Sequence, residues 1–443
     1  MNKETVFLFI GIFSFFQTGL IIDFYLLQKK KLVFSLPKFF GLGIGFIGLL
    51  QLLMGFFNFF INQSFVFTLF LILCLPFCLS SSFRIQLKNL ASKSIKNFYK
   101  SSSFFKLALF LFLLIIAGLF IQVFSHTIWG SDAYAFWLAK ASAFFIDGRV
   151  NKENLFLYWP YDHPLLWPLT ATWLYHFIGQ ASEYYFQSIP FTIFICLIVG
   201  FYKNLNKADF LERAFWTSVL FFTPFLLKNV ASPEYVGNAD LLVSFYLFLS
   251  TAYLLKGKYL YTSLFLFFAC IAKNDVAPAV LAFLMVFPIF NLRVKKRQKA
   301  SFGPWFLFLV LVGLHFFWKK SFGFENRYLA SLKNRAFTKR PLFEYMWYAA
   351  NAFREEFRQV GKWGLGWWLI ILGLAANLKK ITKKRILLFA FSIIFIQLSS
   401  LFIIFYITPE DQASHINSSI FRLLLQLYPA LLLLTYKANY ETV

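Results

Sequence analysis

The sequence is short of negative charge. Only 19 of its 443 residues are Asp or Glu, against 43 Lys or Arg, and all charged residues together make 14%. A soluble domain usually carries about 25%. The shortage argues against a water-soluble globule, and the alternative it leaves is a soluble protein with a very large core. Cysteine is scarce as well. Cys74, Cys78, Cys196 and Cys270 all sit inside apolar runs and show no metal-ligand clustering. Ordinary lipid- or helix-facing side chains therefore read better than disulfides or metal sites. A small-residue cleavage site is missing after the first apolar run, about 5–27, so that run reads as a retained helix. The net charge of +24 invites a nucleic-acid reading. The cations do not gather on one face, however; they punctuate the apolar runs, as loops at an anionic cytoplasmic leaflet do. No nucleic-acid partner is expected.

What is abundant is apolar surface. Hydrophobic residues make 59% of the chain, and phenylalanine alone occurs 65 times. Several runs reach the roughly 20 residues that cross a bilayer. The expected fold class is an all-α polytopic membrane protein. Candidate spans are 5–27, 39–60, 64–83, 104–124, 184–202, 214–229, 239–255, 259–272, 276–291, 303–318, 363–377, 386–407 and 419–436. That is about 13, with a partial span at 164–179.

Orientation follows from basic segments without acids. Lys29, Lys30, Lys31 and Lys38 form one; Arg84, Lys88, Lys93, Lys96, Lys100 and Lys106 form or flank the second. Arg293, Lys295, Lys296, Arg297 and Lys299 form the third, and Lys379, Lys380, Lys383, Lys384 and Arg385 the fourth. These are expected in the cytoplasm, which puts 125–183, 230–238, 273–275, 319–362 and 408–418 outside. Acids collect on that outer side, several at the edge of an apolar run. An ionisable group at membrane depth is costly and points to function.

Five outer features stand out. In "WGSDAYAFWLAKASAFFIDG" (129–148), Trp137, Leu138, Ala141, Phe144 and Phe145 fall on one arc at helical spacing, with Lys140 and Asp147 at its edge. The pattern predicts a helix along the membrane surface. Ser131 or Asp132 would be its N-cap, and Asp132 is either only a cap or a reactive carboxylate at the outer mouth of a cavity. "YWPYDHPLLWP" (158–168) presents Asp162 and His163 from an extended piece, because Pro164 biases His163 away from helix. Tyr158, Trp159, Tyr161 and Trp167 rim it, as interface aromatics or as rings that stack on a sugar. "SPEYVGNADLL" (232–242) carries Glu234 and Asp240, with Asn238 or Asp240 also able to cap a helix. "AKNDVAP" (272–278) is a turn-like segment, yet its Lys273 is an outward cation that breaks the charge rule. In "HINSSIFRLLLQLYPALL" (415–432), His415 stands on an outer loop and Arg422 lies inside an apolar run, where it needs a partner. A phosphate matches its fork; snorkelling to headgroups is the alternative.

The order of these segments resembles the GT-C superfamily of integral-membrane glycosyltransferases, which includes protein O-mannosyltransferases and lipid A aminoarabinose transferases. "HPLLWPLTATWLYHFIG" looks like that family's H/Y-P-P-L segment, with Leu165 where a second proline is common. The resemblance covers roughly 104–436. It implies a GT-C-like transmembrane helix bundle with an outer loop, 125–183, bearing interfacial helices. Residues 104–443 would be the catalytic domain, preceded by a three-helix membrane extension over 1–103. It also implies transfer of a sugar from a polyprenyl-phosphate donor to a lipid, glycan or protein acceptor, at the outer face of a bacterial inner membrane. The family's catalytic acid maps onto Asp132. Lys273 and Arg422 would contact the phosphate, while Asp162, His163, Glu234, Asp240 and His415 would shape the sugar or acceptor pocket. Some members use a divalent metal, which an acid pair would hold; the sequence leaves that open. A transporter or flippase for a lipid-linked sugar and a non-catalytic subunit of a glycan-assembly complex are the rival readings. No clear inverted repeat supports the transporter.

Overall fold

In the computed structural model, residues 3–28, 34–100, 103–151, 153, 155, 161–292, 301–324, 341–408 and 410–440 are described. Among them the chain is helical, with no strand. Among the described residues, seven helices are long and apolar enough to cross a membrane, or up to nine if two bent pairs each count as one span. The protein is an α-helical membrane protein. Each of the thirteen apolar runs is helical, but Asp240–Leu254, Tyr259–Ala272 and Gly366–Ala376 have only 15, 14 and 11 residues. The run at 214–229 is two helices, Phe210–Phe221 and Pro224–Ala231, bent by 58°. Pro224 at the break cannot donate a backbone hydrogen bond, which favours a fresh helix start there. Lys29, Lys30, Lys31 and the basic cluster 293–299 lie outside the described residues.

By contacts the chain divides into two compact units. The first comprises Met1–Tyr158, Leu166–Cys196 and Asn229–Asn238. Its base is a helical hairpin, Lys3–Ile22 against Leu36–Phe56. Glycines let the backbones touch: a Cβ at Gly19 would overlap the Phe39 carbonyl oxygen, and one at Gly43 that of Phe15. Lys38, counted above with a basic loop, is buried in this hairpin and paired with Asp23 at 2.5 Å. A charge at that depth needs a partner, and Asp23 lies at the matching level of the neighbouring helix.

The hairpin beds a third helix, Leu166–Ile178. Gly48 leaves the space that the Leu166 side chain fills. Gln51 Nε2 donates to the Leu169 carbonyl at 3.0 Å, and Trp173 Nε1 donates to Ser14 Oγ at 2.9 Å. All 13 residues of Leu166–Ile178 are buried. At 1.5 Å per residue they extend about 20 Å, short of a 30 Å hydrocarbon core. The segment is therefore a buried core helix of partial span length.

The second unit comprises Trp159–Leu165, Leu197–Lys228 and Ala239–Val443. Its centre is Asp240–Leu254, packed on Tyr259–Ala272 and on the 29-residue C-terminal helix Gln412–Tyr440. Ala277–Leu292 packs on Arg385–Tyr406. Two prolines inside these helices free carbonyls that neighbouring helices then satisfy. Pro429 leaves the Leu425 carbonyl without its helical donor, and Ser244 Oγ supplies one at 2.9 Å. Pro288 does the same to Leu284, and Trp305 Nε1 donates there at 3.1 Å. In a membrane such replacement donors matter because no water reaches the backbone.

Candidate functional site

The second unit holds a buried ionic cluster around Asp240. The carboxylate is fully buried, in the first turn of its helix. Oδ1 accepts from Lys273 Nζ at 2.8 Å and from Gln426 Nε2 at 2.7 Å; Oδ2 accepts from Arg422 Nε at 3.1 Å. Lys273 Nζ also reaches Asp275 Oδ2 at 2.9 Å. Two carboxylates and two cations thus balance. Burial opposes the charge on Lys273, but the pull of Asp240 and Asp275 outweighs it, and its ammonium is held above the ordinary lysine range. Neither Asn238 nor Asp240 caps the helix: the N-cap is Ala239, with no side-chain capping bond.

Local sequence explains how these groups are placed. Lys273 follows the last residue of Tyr259–Ala272 in extended conformation, and Asn274–Val276 turns the chain into the next helix. Arg422 and Gln426 are four apart and so share a face of the C-terminal helix. Gln397 closes the turn from outside. Its Nε2 donates to the Asp275 carbonyl at 2.6 Å, and its Oε1 accepts from the Ala279 amide at 2.9 Å.

Asp162 joins the same unit through Asn274, whose Nδ2 donates to the Asp162 carbonyl at 3.1 Å and to Oδ2 at 3.4 Å. Lys319 Nζ donates to Asn274 Oδ1 at 2.7 Å. Lys319 opens the stretch read above as the loop 319–362, yet it is buried in the last turn of Gly303–Ser321. The helix then ends on Gly323, φ +76°, with Phe324 N–H donating to the Lys319 carbonyl and Gly323 N–H to that of Lys320. This glycine-ended motif seats Phe324 on Trp318, ring centroids 5.7 Å apart, and beside Tyr161 at 6.3 Å. His163 stands half-buried next to Asp162. His415 Nδ1 pairs with Thr408 Oγ1 at 2.6 Å, two turns from Arg422 on the same helix. Tyr158 and Trp159 lie outside the described residues.

Asp132 belongs to the first unit. Ser131, at the N-cap, makes no side-chain capping bond, and Asp132 is the first residue of a π-helical turn, Asp132–Leu138. Such turns are rare and recur at functional sites. The segment before it is pinned: the Trp129 and Gly130 amides both donate to the Pro233 carbonyl at 3.1 Å. A Cβ at Gly130 would overlap the Glu234 carbonyl oxygen, so the two loops touch. The Glu234 side chain itself is exposed. The predicted surface helix exists as Ala139–Asp147, but Trp137, Leu138, Ala141 and Phe144 are buried within the protein, and the helix packs on Leu166–Ile178. Lys140, expected at its edge, is buried as well. Trp167, read as a rim aromatic, is buried and donates its Nε1–H to the Gly237 carbonyl at 2.5 Å.

Sequence reasoning missed Lys319, Asn274, Gln426 and Gln397. Spacing held a signal for two of them. Gln426 stands one turn from Arg422, and Lys319 one turn from His315, which is also buried. Among the described residues no group of three or more His, Cys, Asp or Glu side chains converges as a metal cage. The acid pair of this cluster, Asp240 and Asp275, is bridged by the Lys273 ammonium, so its donors do not fit a divalent ion. No family model, no curated protein and no solved structure matches the chain.

Proposed function

We propose that the protein is a glycosyltransferase. It would move a sugar from a polyprenyl-phosphate donor to a lipid, glycan or protein acceptor on the outer face of a bacterial inner membrane, within a multi-pass bundle of about thirteen crossings. The support is one observation: "NADLL", "AKNDVAP" and "HINSSIFR", three distant segments, send Asp240, Lys273 and Arg422 to a single buried contact. Cations fixed in advance by a buried carboxylate suit an anionic leaving group, because they need not reorganise as charge develops. The base is assigned by the GT-C resemblance alone: Asp132 would take the acceptor hydroxyl proton as that oxygen bonds to the anomeric carbon. The bond from that carbon to the phosphate oxygen breaks, and its electron pair leaves on the lipid phosphate. A single displacement of this kind inverts the anomeric centre. Arg422, with 18% of its side chain exposed, is the proposed phosphate contact. Lys273 holds Asp240 and Asp275 around it.

The test is release of lipid phosphate from a labelled polyprenyl-phosphate sugar by purified protein. Asp132→Asn should reduce release by about a hundredfold or more, the usual scale for a general base. Arg422→Ala should raise the KM for donor. Full activity in Asp132→Asn would sink the base assignment.

Buried ion pairs within apolar helices also suit a carrier of a lipid-linked sugar. Sugar-lipid that crosses protein-loaded vesicles without being cleaved would favour that second reading.

A further inference from the structure

A second feature of the second unit is unrelated to the ionic cluster. An apolar groove of about 270 Å³ runs between Gly366–Ala376, Arg385–Tyr406 and the C-terminal helix. Its walls are two helical stripes. One carries Trp367, Ile371 and Leu374 and continues to Leu378; the other carries Phe391 and Phe395. Both repeat at the three- and four-residue spacing of a single helix face. The deep end closes on Trp367, which packs on Trp363 and Tyr428. Towards the outside, Ile371 is 41%, Leu378 50% and Phe395 54% exposed.

The charge at the Leu378 end of the groove is all positive. Immediately after Leu378 come Lys379, Lys380, Lys383, Lys384 and Arg385. No Asp or Glu occurs in 366–408; Glu355 and Glu356 directly precede the wall residue Phe357, and Glu356 is buried and already paired with Lys362 and Trp363. Lys379 and Lys383 are exposed. Along Arg385–Tyr406, Phe391 lies about 9 Å and Leu398 about 20 Å from the basic turn, at 1.5 Å per residue. Measured from a basic turn at the headgroups, that range ends within one leaflet, half of a bilayer of roughly 40–45 Å with its headgroup regions.

We infer that this groove holds one acyl chain of an anionic phospholipid, whose phosphate sits at the Lys379–Arg385 turn. The volume equals that of about nine water-sized groups at roughly 30 Å³ each, enough for a stretch of acyl chain. Lipid tails are as apolar as the groove, so entering it brings the chain no hydrophobic gain over the bilayer. Selectivity must come from the headgroup. Basic pockets between spans recognise anionic headgroups in this way. The inference does not rest on the sugar-transfer reading: the groove shares no lining residue with the cluster around Asp240.

The experiment uses the full chain, purified in a mild non-ionic detergent. It is mixed with dioleoyl phosphatidylglycerol or with phosphatidylcholine of the same chains, and bound lipid is counted by native mass spectrometry. The wild type should retain one phosphatidylglycerol in preference to phosphatidylcholine. Removing both exposed lysines, in K379Q/K383Q, should weaken that retention on the order of twentyfold, at roughly fivefold per charge. Ile371→Trp, which fills the groove, should remove one bound lipid of either kind. The lysine variant alters only exposed side chains, so it keeps the test decisive if the groove variant fails to fold. Equal retention of the two lipids by wild type, or phosphatidylglycerol retention unchanged in the lysine variant, overturns the proposal.

Discussion

Asp240 and Arg422 are 182 positions apart in the chain and joined by one hydrogen bond, Arg422 Nε to Asp240 Oδ2, at 3.1 Å. The carboxylate is fully buried, while the guanidinium side chain is 18% exposed. The two partners should therefore respond unequally to mutation. Asp240→Ala removes the anion that Lys273 and Arg422 share, leaving Lys273 with Asp275, and should cost about 3 kcal/mol, the lower end of the scale for breaking a buried pair. Arg422→Ala should cost less, because Lys273 and Gln426 still hold the carboxylate. Thermal unfolding in detergent measures both. Equal losses would show that the cluster is not organised around Asp240.

Ser244 and Pro429 give a rescue experiment. Ser244→Ala removes the only substitute donor named above for the Leu425 carbonyl, and should cost about 1 kcal/mol. Pro429→Ala restores a backbone N–H four residues after Leu425, so the double variant should recover part of that loss. A double-mutant cycle with no coupling would sink the idea that the serine serves the proline.

Gly43 and Gly118 should behave oppositely on substitution by alanine. A methyl at Gly43 overlaps the Phe15 backbone, whereas one at Gly118 meets nothing within 4 Å. Gly43→Ala must push Lys3–Ile22 away from Leu36–Phe56, and the folded yield should collapse. Gly118→Ala should be neutral or stabilising, by up to about 1 kcal/mol of helix propensity. Size-exclusion profiles and melting temperatures of the two variants check this.

Lys319→Met keeps the length and removes the charge. Asn274 Oδ1 loses its donor, and Asp162 loses the cation linked to it through Asn274. The expected cost is about 1 kcal/mol, the low end for an unsatisfied acceptor because Asn274 is only half-buried. Asn274→Ala should produce a comparable loss, and the two losses should not add, because both variants break the same chain of contacts. Additive losses would separate Lys319 from Asp162.

Helicity was legible because a run of apolar residues in a membrane has only one economical way to satisfy its backbone. Arg422 was legible for a related reason: an arginine in oil must have a partner, and the structure supplies Asp240. Lys38 was misread because the charge rule counts cations by position in sequence, and only packing reveals that Asp23 neutralises this one. Lys319 was hidden by a boundary. The helix runs on to Ser321, so a residue assigned to a loop is held inside. Trp167 and the arc from Trp137 to Phe144 were read as facing the interface. Amphipathic spacing identifies an apolar face but not what covers it, and here the cover is Leu166–Ile178 and neighbouring backbone. Asn274 carried no signal, since a lone amide in a turn looks the same whether it bridges elements or meets solvent; Gln397, a polar residue in the middle of the apolar run 386–407, was a signal left unused.

The bed of Leu166–Ile178 also sets a timetable for synthesis. Gln51 waits 118 residues for Leu169, its hydrogen-bond partner. At 5–20 residues per second, that delay is on the order of ten seconds. Throughout it, the notch at Gly48 and the amide of Gln51 face lipid or an insertion chaperone rather than protein. A nascent chain stalled before residue 166 should therefore be the form most prone to degradation, and the first hairpin the place where a membrane chaperone is needed.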